Sequence, residues 1–427
     1  MESIGIMILY IFPPPTSTHF DLKRLHSSFI SLVDHDYTFL IGKFHVDPTT
    51  GIACVKQTAE SVRVGATGIR FEMDPQNPLT TELATRKLSL DLMPTTRDKE
   101  ELFCVKASLL TDGGMTIGID ATHVLFDAEA FSTFMKGWGQ YYSGVKPDER
   151  LVVNHDRYLL NGTGKPSEMQ HLEFQAKATE KARDEAQLLT QAPPPSAQHF
   201  FHFNSKMMKR IKEVASNVEG KGSNPSEVSY VSTVDAITAL MTILISRARG
   251  HGHDVKITTC VNARRHLHPP LPQNYVGNAI FNALSMYQNS ELQPQPEDIE
   301  LVSPAILSRL ARRVRSSIVQ CNEKYMQDTI NFLTEQKSVI DMKIGTNFVF
   351  GPDLFFTSWL HLGMYDAEFE DVHPVYACVP QMPDFDGLVI LTEARNGEEG
   401  IDMVVFLECN AMEKLKIMLN NISYLYD

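Results

Sequence analysis

Three consecutive prolines, Pro193-Pro194-Pro195, stand between Ala192 and Ser196 near the middle of the chain. Proline has no backbone N–H to donate, so neither a helix interior nor a central strand can run through such a stretch, and it reads as a connector. A chain of 427 residues is too long for one ordinary domain and suits two of about 200 residues each. The expected division is a first domain over 1–180, a linker over 181–200 and a second domain over 201–427. Glu168 to Leu189, on the approach to the prolines, is charged and helix-prone. Its run Lys177, Glu180, Lys181, Arg183, Asp184 and Glu185 reads as a solvated helix face.

In the first half, Ile4 to Phe12 predicts a strand and Phe20 to Leu32 a helix with Leu22, Leu25 and Phe29 on one side. Phe103, Val105, Ala107 and Leu109 alternate, Thr111-Asp112-Gly113-Gly114 is a turn signal, and Met115, Ile117 and Ile119 alternate back as the second strand of a hairpin. From Phe131 the residues Phe134, Met135, Trp138, Tyr141 and Tyr142 recur at the spacing of one helical face, which Ser143-Gly144 closes. Between strand and helix lies Asp120-Ala-Thr-His123-Val-Leu-Phe-Asp127. Imidazole titrates near neutrality, so a histidine at the mouth of a strand can take a proton from a substrate and return it. Asp127 is open to three roles: holding the ring of His123, turning inward against a cation, or capping the helix.

In the second half, Phe201 and Phe203 suit a strand, and Ser205 is placed to cap a helix containing Met207, Met208, Ile211, Val214 and Ala215. Ser232-Thr-Val-Asp235 matches a capping box that opens an apolar helix. Val255, Ile257, Thr259 and Val261 alternate toward Asn262-Ala263-Arg264-Arg265, followed by a proline-rich loop over 268–278. Ser303-Pro304 opens a helix whose outer face carries Arg309, Arg312, Arg313 and Arg315, read as a basic solvated face. Leu354 to Trp359 predicts a strand bearing Thr357, Ser358 and the Trp359 indole, Gly387–Glu393 and Ile401–Glu408 flank Asn396-Gly397 as a hairpin, and Asn410 is placed to cap the last helix.

The formal charge of −13 argues against a nucleic-acid surface, because phosphate neutralisation needs clustered Lys and Arg. The six cysteines, at 54, 104, 260, 321, 378 and 409, include no short pair and fit free thiols in a reducing compartment. His251-Gly-His253 and His266-Leu-His268 have no carboxylate or thiol partner at a recognised metal spacing, so no metal is expected. The apolar run at Ile4 to Phe12 is too short for a membrane span, which takes roughly 20 residues, and lacks the basic flank and cleavage pattern of a leader. A cytoplasmic monomer without membrane or nucleic-acid partners is the expectation.

His123-Val-Leu-Phe-Asp127 with Phe131-Ser-Thr-Phe134, Val231-Ser-Thr-Val-Asp235-Ala, Val261-Asn-Ala-Arg264, Pro269-Pro-Leu-Pro272 with Tyr275-Val-Gly277-Asn278, and Thr357-Ser-Trp359 with Tyr365-Asp366 follow one another along nearly the whole chain. In this order the chain resembles the BAHD acyltransferases, a coenzyme A-dependent family that includes plant hydroxycinnamoyl transferases and fungal acetyltransferases of secondary metabolism. The resemblance implies an α/β fold of two chloramphenicol-acetyltransferase-like domains with mixed sheets, joined by a crossover loop, with the active-site channel between them. It implies that His123 is the general base, that Asp127 faces away and pairs with Arg264 as a structural brace, and that Thr357 and Trp359 help hold the tetrahedral intermediate. Ser232 and Asp235 match a segment that touches the cofactor in the family, although their helix-capping role suffices by itself. Tyr275 and Asn278 are expected to fix the long loop.

A neutral alcohol is a poor nucleophile, so attack on a thioester needs a base within about 3 Å of the hydroxyl. Carbonyl attack makes an oxyanion that positioned donors stabilise. No serine or cysteine is visibly paired with His123, so direct transfer in a ternary complex is expected, without an acyl-enzyme. The expected reaction moves an acyl group, acetyl in the first instance, from acyl-CoA as co-substrate to a hydroxyl of a small specialised metabolite, with no permanently bound cofactor. The alternatives are N-acylation of an amine or alkaloid, and a degenerate relative that binds a metabolite or catalyses another step. The degenerate reading rests on departures from the pattern. Ala128 stands where the family places glycine, Asn262 replaces a common aspartate beside Arg264, and Glu368-Phe369-Glu370-Asp371-Val372 stands in place of DFGWG.

Overall fold

The computed structural model describes residues 5–48, 52–57, 68–176, 193–217, 230–294, 300–337, 339, 342–382 and 385–425. The first half runs β1 (Gly5–Phe12), α1 (Leu22–Asp36), a small ribbon of β2 (Lys43–Val46) and β3 (Ala53–Lys56), β4 (Ile69–Asn77), α2 (Thr81–Lys87), β5 (Phe103–Leu110), β6 (Met115–Thr122), α3 (Ala128–Tyr142) and β7 (Phe174–Ala176). The second runs β8 (Ser196–Phe203), α4 (Ser205–Ser216), α5 (Thr233–Arg249), β9 (Val255–Asn262), β10 (Ile280–Tyr287), α6 (Pro304–Gln320), α7 (Glu323–Glu335), β11 (Met342–Ile344), β12 (Leu354–Ser358), β13 (Tyr376–Cys378), β14 (Leu388–Glu393), β15 (Ile401–Glu408) and α8 (Cys409–Asn420).

Two mixed sheets carry the fold. The first has five strands in the order β13-β1-β6-β5-β4, antiparallel except for the parallel β4–β5 pair. The second has six in the order β10-β9-β12-β14-β15-β8, with β12 parallel to both β9 and β14. β13 comes late in the chain yet forms an edge of the first sheet, pairing Tyr376 with Ile11. The halves by sequence are therefore not the halves by sheet. The prolines lie just before β8, which begins at Ser196 opposite Glu408 of β15.

Alternation along the strands sorts side chains into two cores. On β14 and β15, Val389, Leu391, Met403, Val405 and Leu407 pack with α5, α6 and α8, while Ile390, Val404 and Phe406 join the core of the first sheet. That first core is aromatic: Phe29, Phe103, Phe126, Phe131, Phe134 and Trp138 are fully buried. The indole of Trp138 donates to Leu25 O at 3.2 Å and Ser28 Oγ at 3.0 Å, which ties α3 to α1.

Local chemistry departs from the sequence reading at three places. Asn204 rather than Ser205 caps α4, accepting from Met207 N at 2.9 Å. Glu408 rather than Asn410 caps α8, accepting from Asn410 N and Ala411 N, because the longer carboxylate reaches back over the first turn. Residues 168–176 are turns and β7, not helix. Asp328 of α7 holds the start of this segment, its carboxylate taking the N–H groups of Glu168 (2.9 Å) and Met169 (3.0 Å) and the Ser167 hydroxyl (2.8 Å), and β7 then pairs with β11. The charge run Lys177–Glu185 lies outside the described residues.

The arginines of α6 are engaged within the protein more than a solvated face requires. Arg313 clasps Glu291 with two bonds of 2.8 Å, which holds that carboxyl down to about 2. Arg315 pairs with Asp235, and Arg312 donates to Ser308 Oγ and Ser216 O. No helix among the described residues is long and apolar enough to cross a membrane.

Candidate active site

β6 ends at Thr122, paired with Gly5 of β1, and delivers His123 to a five-residue turn before α3. The ring Nδ1 lies 2.9 Å from Phe126 O. A carbonyl only accepts, so Nδ1 carries a proton, and in the neutral ring the lone pair is then on Nε2. The side-chain amide of Asn278 donates to His123 O at 2.8 Å and lies 3.3 Å from Nδ1, so the long loop of the second half clasps the histidine's backbone. The imidazole is partly exposed at this junction.

Asp127 points away from that ring. Its Oδ1 caps α3 by accepting from Ala130 N at 2.9 Å, and both oxygens take Arg264, from Nη1 at 2.7 Å and Nη2 at 2.9 Å. Ala279 N donates to Oδ2 at 2.9 Å. Capping and bracing, alternatives in the sequence, are carried out by one carboxylate at the same time. Arg264 spends its remaining donors on Tyr275 O, Gly277 O at 2.9 Å and Asn262 Oδ1. Both partners are almost wholly buried, at 1% exposure for Asp127 and 5% for Arg264. A guanidinium at such depth is tolerable only with this full set of acceptors.

Glu129 completes the cluster, and the sequence reading did not name it. Its carboxylate accepts from Asn262 Nδ2 and stands 3.9 Å from Arg264 Nη1. An aspartate at 262 would set two carboxylates against each other here, so the amide is the side chain that fits beside Glu129. The signal lay in the residue two beyond Asp127, but only the fold brings the end of β9 to it.

Thr357 is level with Cys260 across the β12–β9 pair, since Phe356 is in register with Thr259, and its hydroxyl hydrogen-bonds the Cys260 thiol. It thus lies two strand residues, roughly 7 Å, from Asn262 and the brace. Burial pushes the Cys260 thiol up to about 12, with the Asp127 charge acting in the same direction against the Thr357 hydrogen bond. Trp359 follows on the same face and is buried in the first core, its backbone N–H on Leu391 O at 2.8 Å. Neither Thr357 nor Trp359 shares a hydrogen bond with His123 among the described residues.

Ser232 and Asp235 form the expected capping box on α5, with Ser232 Oγ accepting from Asp235 N at 3.1 Å and Asp235 Oδ2 from Ser232 N at 2.6 Å. Arg315 takes the same carboxylate oxygen, so the hydrogen bonds of this pair stay within helix capping and the α6 contact. The segment Glu368–Val372 keeps a tight turn without glycine. Phe369 and Val372 exchange both backbone bonds at 3.1 Å around Glu370 (φ +53°) and Asp371 (φ +59°), the two left-handed positions of a type I′ hairpin turn. Glu370 accepts from Tyr142 Oη at 2.7 Å and Arg24 Nη1 at 2.9 Å, while Phe369 packs edge-on against Phe12, Trp138 and Tyr142.

Two cavities, of about 280 and 720 Å³, lie away from His123. The smaller is lined by α2, β8, β13, β15 and the β14–β15 hairpin; the larger by the start of β9, the end of β10 and Arg313.

Residues 3–420 match the family described as the Transferase family. The chain is 25% identical over 394 residues to agmatine coumaroyltransferase-1 of Hordeum vulgare, covering 89% of this chain and 83% of that protein. It is 24% identical over 312 residues to hydroxycinnamoyltransferase 2 of Oryza sativa subsp. japonica, covering 72% of this chain and 66% of that one, just short of two thirds of its length. Among solved structures, TRI101 of F. sporotrichioides, complexed with coenzyme A and T-2, superposes with a TM-score of 0.73 at 15% identity, over 97% of this chain and 94% of that one. Vinorine synthase superposes with a TM-score of 0.65 at 18% identity, over 98% and 91%. These two likenesses are of fold, the two-sheet architecture described above. With nearly its whole length matched, the chain belongs to the BAHD family of coenzyme A-dependent acyltransferases.

Proposed function

We propose that this protein transfers an acyl group, acetyl in the first instance, from acyl-CoA to a hydroxyl of a small specialised metabolite, with His123 as the general base. The observation that carries the reading is the hydrogen bond from His123 Nδ1 to Phe126 O, which leaves Nε2 as the proton acceptor. Nε2 takes the proton of the acceptor hydroxyl as its oxygen attacks the thioester carbonyl. The tetrahedral oxyanion collapses with cleavage of the C–S bond, and the imidazolium returns the proton to the departing thiolate. In this reading Asp127 and Arg264 are positioning residues: they fix the first turn of α3 against the end of β9, between which the histidine turn is strung. Thr357 and Trp359 are the donors offered to the oxyanion, and Ser232 with Asp235 hold the end of α5 near which coenzyme would bind. A thiol pushed up to about 12 is a poor nucleophile at neutral pH, so Cys260 beside Thr357 supports direct transfer rather than an acyl-enzyme.

An amine acceptor is the second reading, favoured by the likeness to agmatine coumaroyltransferase-1. A free-thiol assay with acetyl-CoA and coumaroyl-CoA, run against matched panels of hydroxylated metabolites and polyamines, separates the two. Acceptor-dependent release with hydroxyl compounds supports O-acylation, and release with amines alone overturns it in favour of N-acylation. Binding of coenzyme without release under any acceptor supports the degenerate alternative.

A further inference from the structure

The 280 Å³ cavity is built differently from its surroundings in an acidic protein. Arg86 from the end of α2 and Arg395 from the β14–β15 hairpin both line it, together with Thr85 and His202. Neither arginine forms an ion pair with a carboxylate among the described residues; Arg395 stands over the Tyr376 ring at 5.7 Å. The two acidic groups in the lining are Asp402 and Glu398. Asp402 has both oxygens engaged within the protein, one accepting from Tyr376 Oη at 2.8 Å and the other from His202 Nδ1 at 2.9 Å. A carboxylate only accepts, so His202 Nδ1 bears the proton that it donates to Asp402. Glu398 on the hairpin is exposed, as are Arg86 and Arg395. Phe200, Leu88 and Tyr376 supply an apolar wall.

We infer that this cavity is a phosphate-binding pocket, in which Arg86 and Arg395 take the phosphate oxygens of a phosphate monoester whose organic part lies on Phe200, Leu88 and Tyr376. Two guanidiniums reaching one cavity from separate elements suit the spread oxygens of a tetrahedral anion, and planar N–H forks bind such oxygens in pairs. The volume exceeds that of inorganic phosphate, which leaves room for an ester substituent. The pocket is remote from the candidate base. Tyr376 pairs with Ile11, whereas Gly5 at the other end of β1 pairs with Thr122 next to His123, and six strand residues span about 20 Å. The phosphate has two possible sources, a free metabolite or the nucleotide end of coenzyme A, and the inference stands whether or not the acyl-transfer reading does.

Thermal shift and calorimetric titration of the full chain with inorganic phosphate, at ionic strength matched with chloride, test it without turnover. Phosphate is expected to bind and raise the melting temperature, with Arg86→Ala and Arg395→Ala each weakening binding about tenfold or more, and Arg86→Lys weakening it less. Competition by coenzyme A together with a raised KM for acyl-CoA in both alanine variants assigns the phosphate to the coenzyme; saturation by phosphate with unchanged coenzyme affinity assigns it to a separate metabolite. No binding at millimolar phosphate, or equal binding by wild type and the Arg86→Ala/Arg395→Ala double variant, overturns the pocket while leaving the reaction at His123 untouched.

Discussion

At the residue scale, the Asp127–Arg264 pair is where the account is most exposed. Removing either partner leaves a buried charge facing an empty site, at a cost of roughly 3–5 kcal/mol. Asp127→Asn and Arg264→Ala are therefore expected to lower stability in chemical denaturation and activity together; full stability with lost activity would show a direct chemical role instead. Trp359→Phe keeps the buried ring but removes its N–H, and should lower turnover more than coenzyme affinity, as a donor used in the transition state would. Asn262→Asp is expected to destabilise by placing a second carboxylate against Glu129, and Glu129→Gln in the same chain should restore most of that loss. Periodicity marked the element ends at which His123, Asp127 and Arg264 stand, whereas the pairing of Asp127 with Arg264 came only from the family resemblance. Glu129 could not be read from the sequence, since its partner lies 133 residues away.

At the scale of elements, the turn at Glu368–Val372 explains how the segment dispenses with glycine. Glu370 and Asp371 hold φ values that glycine favours, a strain of order 1 kcal/mol or more per residue, and the Glu370 carboxylate offsets part of it through Tyr142 and Arg24. Glu370→Ala should thus destabilise more than Glu370→Gly, which loses the same contacts but relieves the backbone; the reverse order in urea denaturation would contradict this. Gly139 of α3 lies against the same segment, where a Cβ would come 2.4 Å from Glu368 O. Gly139→Ala should cost about 1–3 kcal/mol through the shift it forces. Glu291, just after β10, is held down to about 2 by Arg313 of α6, so its contribution is present above the ordinary carboxylate range and is lost as pH falls from about 4.5 toward 2. Glu291→Gln should flatten the acid limb of the stability profile in that window. Strands and helices were legible here from their periodicity, whereas their caps slipped because Asn204 and Glu408 compete with the neighbouring polar residues for the same N–H groups. In place of the helix expected from Glu168, residues 174–176 form β7, whose partner β11 lies about 170 residues further along the chain, beyond the reach of local periodicity.

For the whole molecule, two lobes were legible from length and the proline stretch, but their interleaving was not. β13 is three residues of the late chain at the edge of the first sheet, and Trp359, Ile390, Val404 and Phe406 enter the first core from the second sheet. No local pattern distinguishes a short apolar strand that stays in its own sheet from one that crosses. This interleaving predicts one cooperative unfolding transition, with far-UV and near-UV signals coincident in denaturant, rather than separate melting of two domains. The most direct test of the central claim is single-turnover acyl transfer by His123→Ala, measured beside its affinity for coenzyme A. Loss of transfer by about 10²–10⁴-fold with coenzyme affinity unchanged is the predicted result; transfer at the wild-type rate would contradict it.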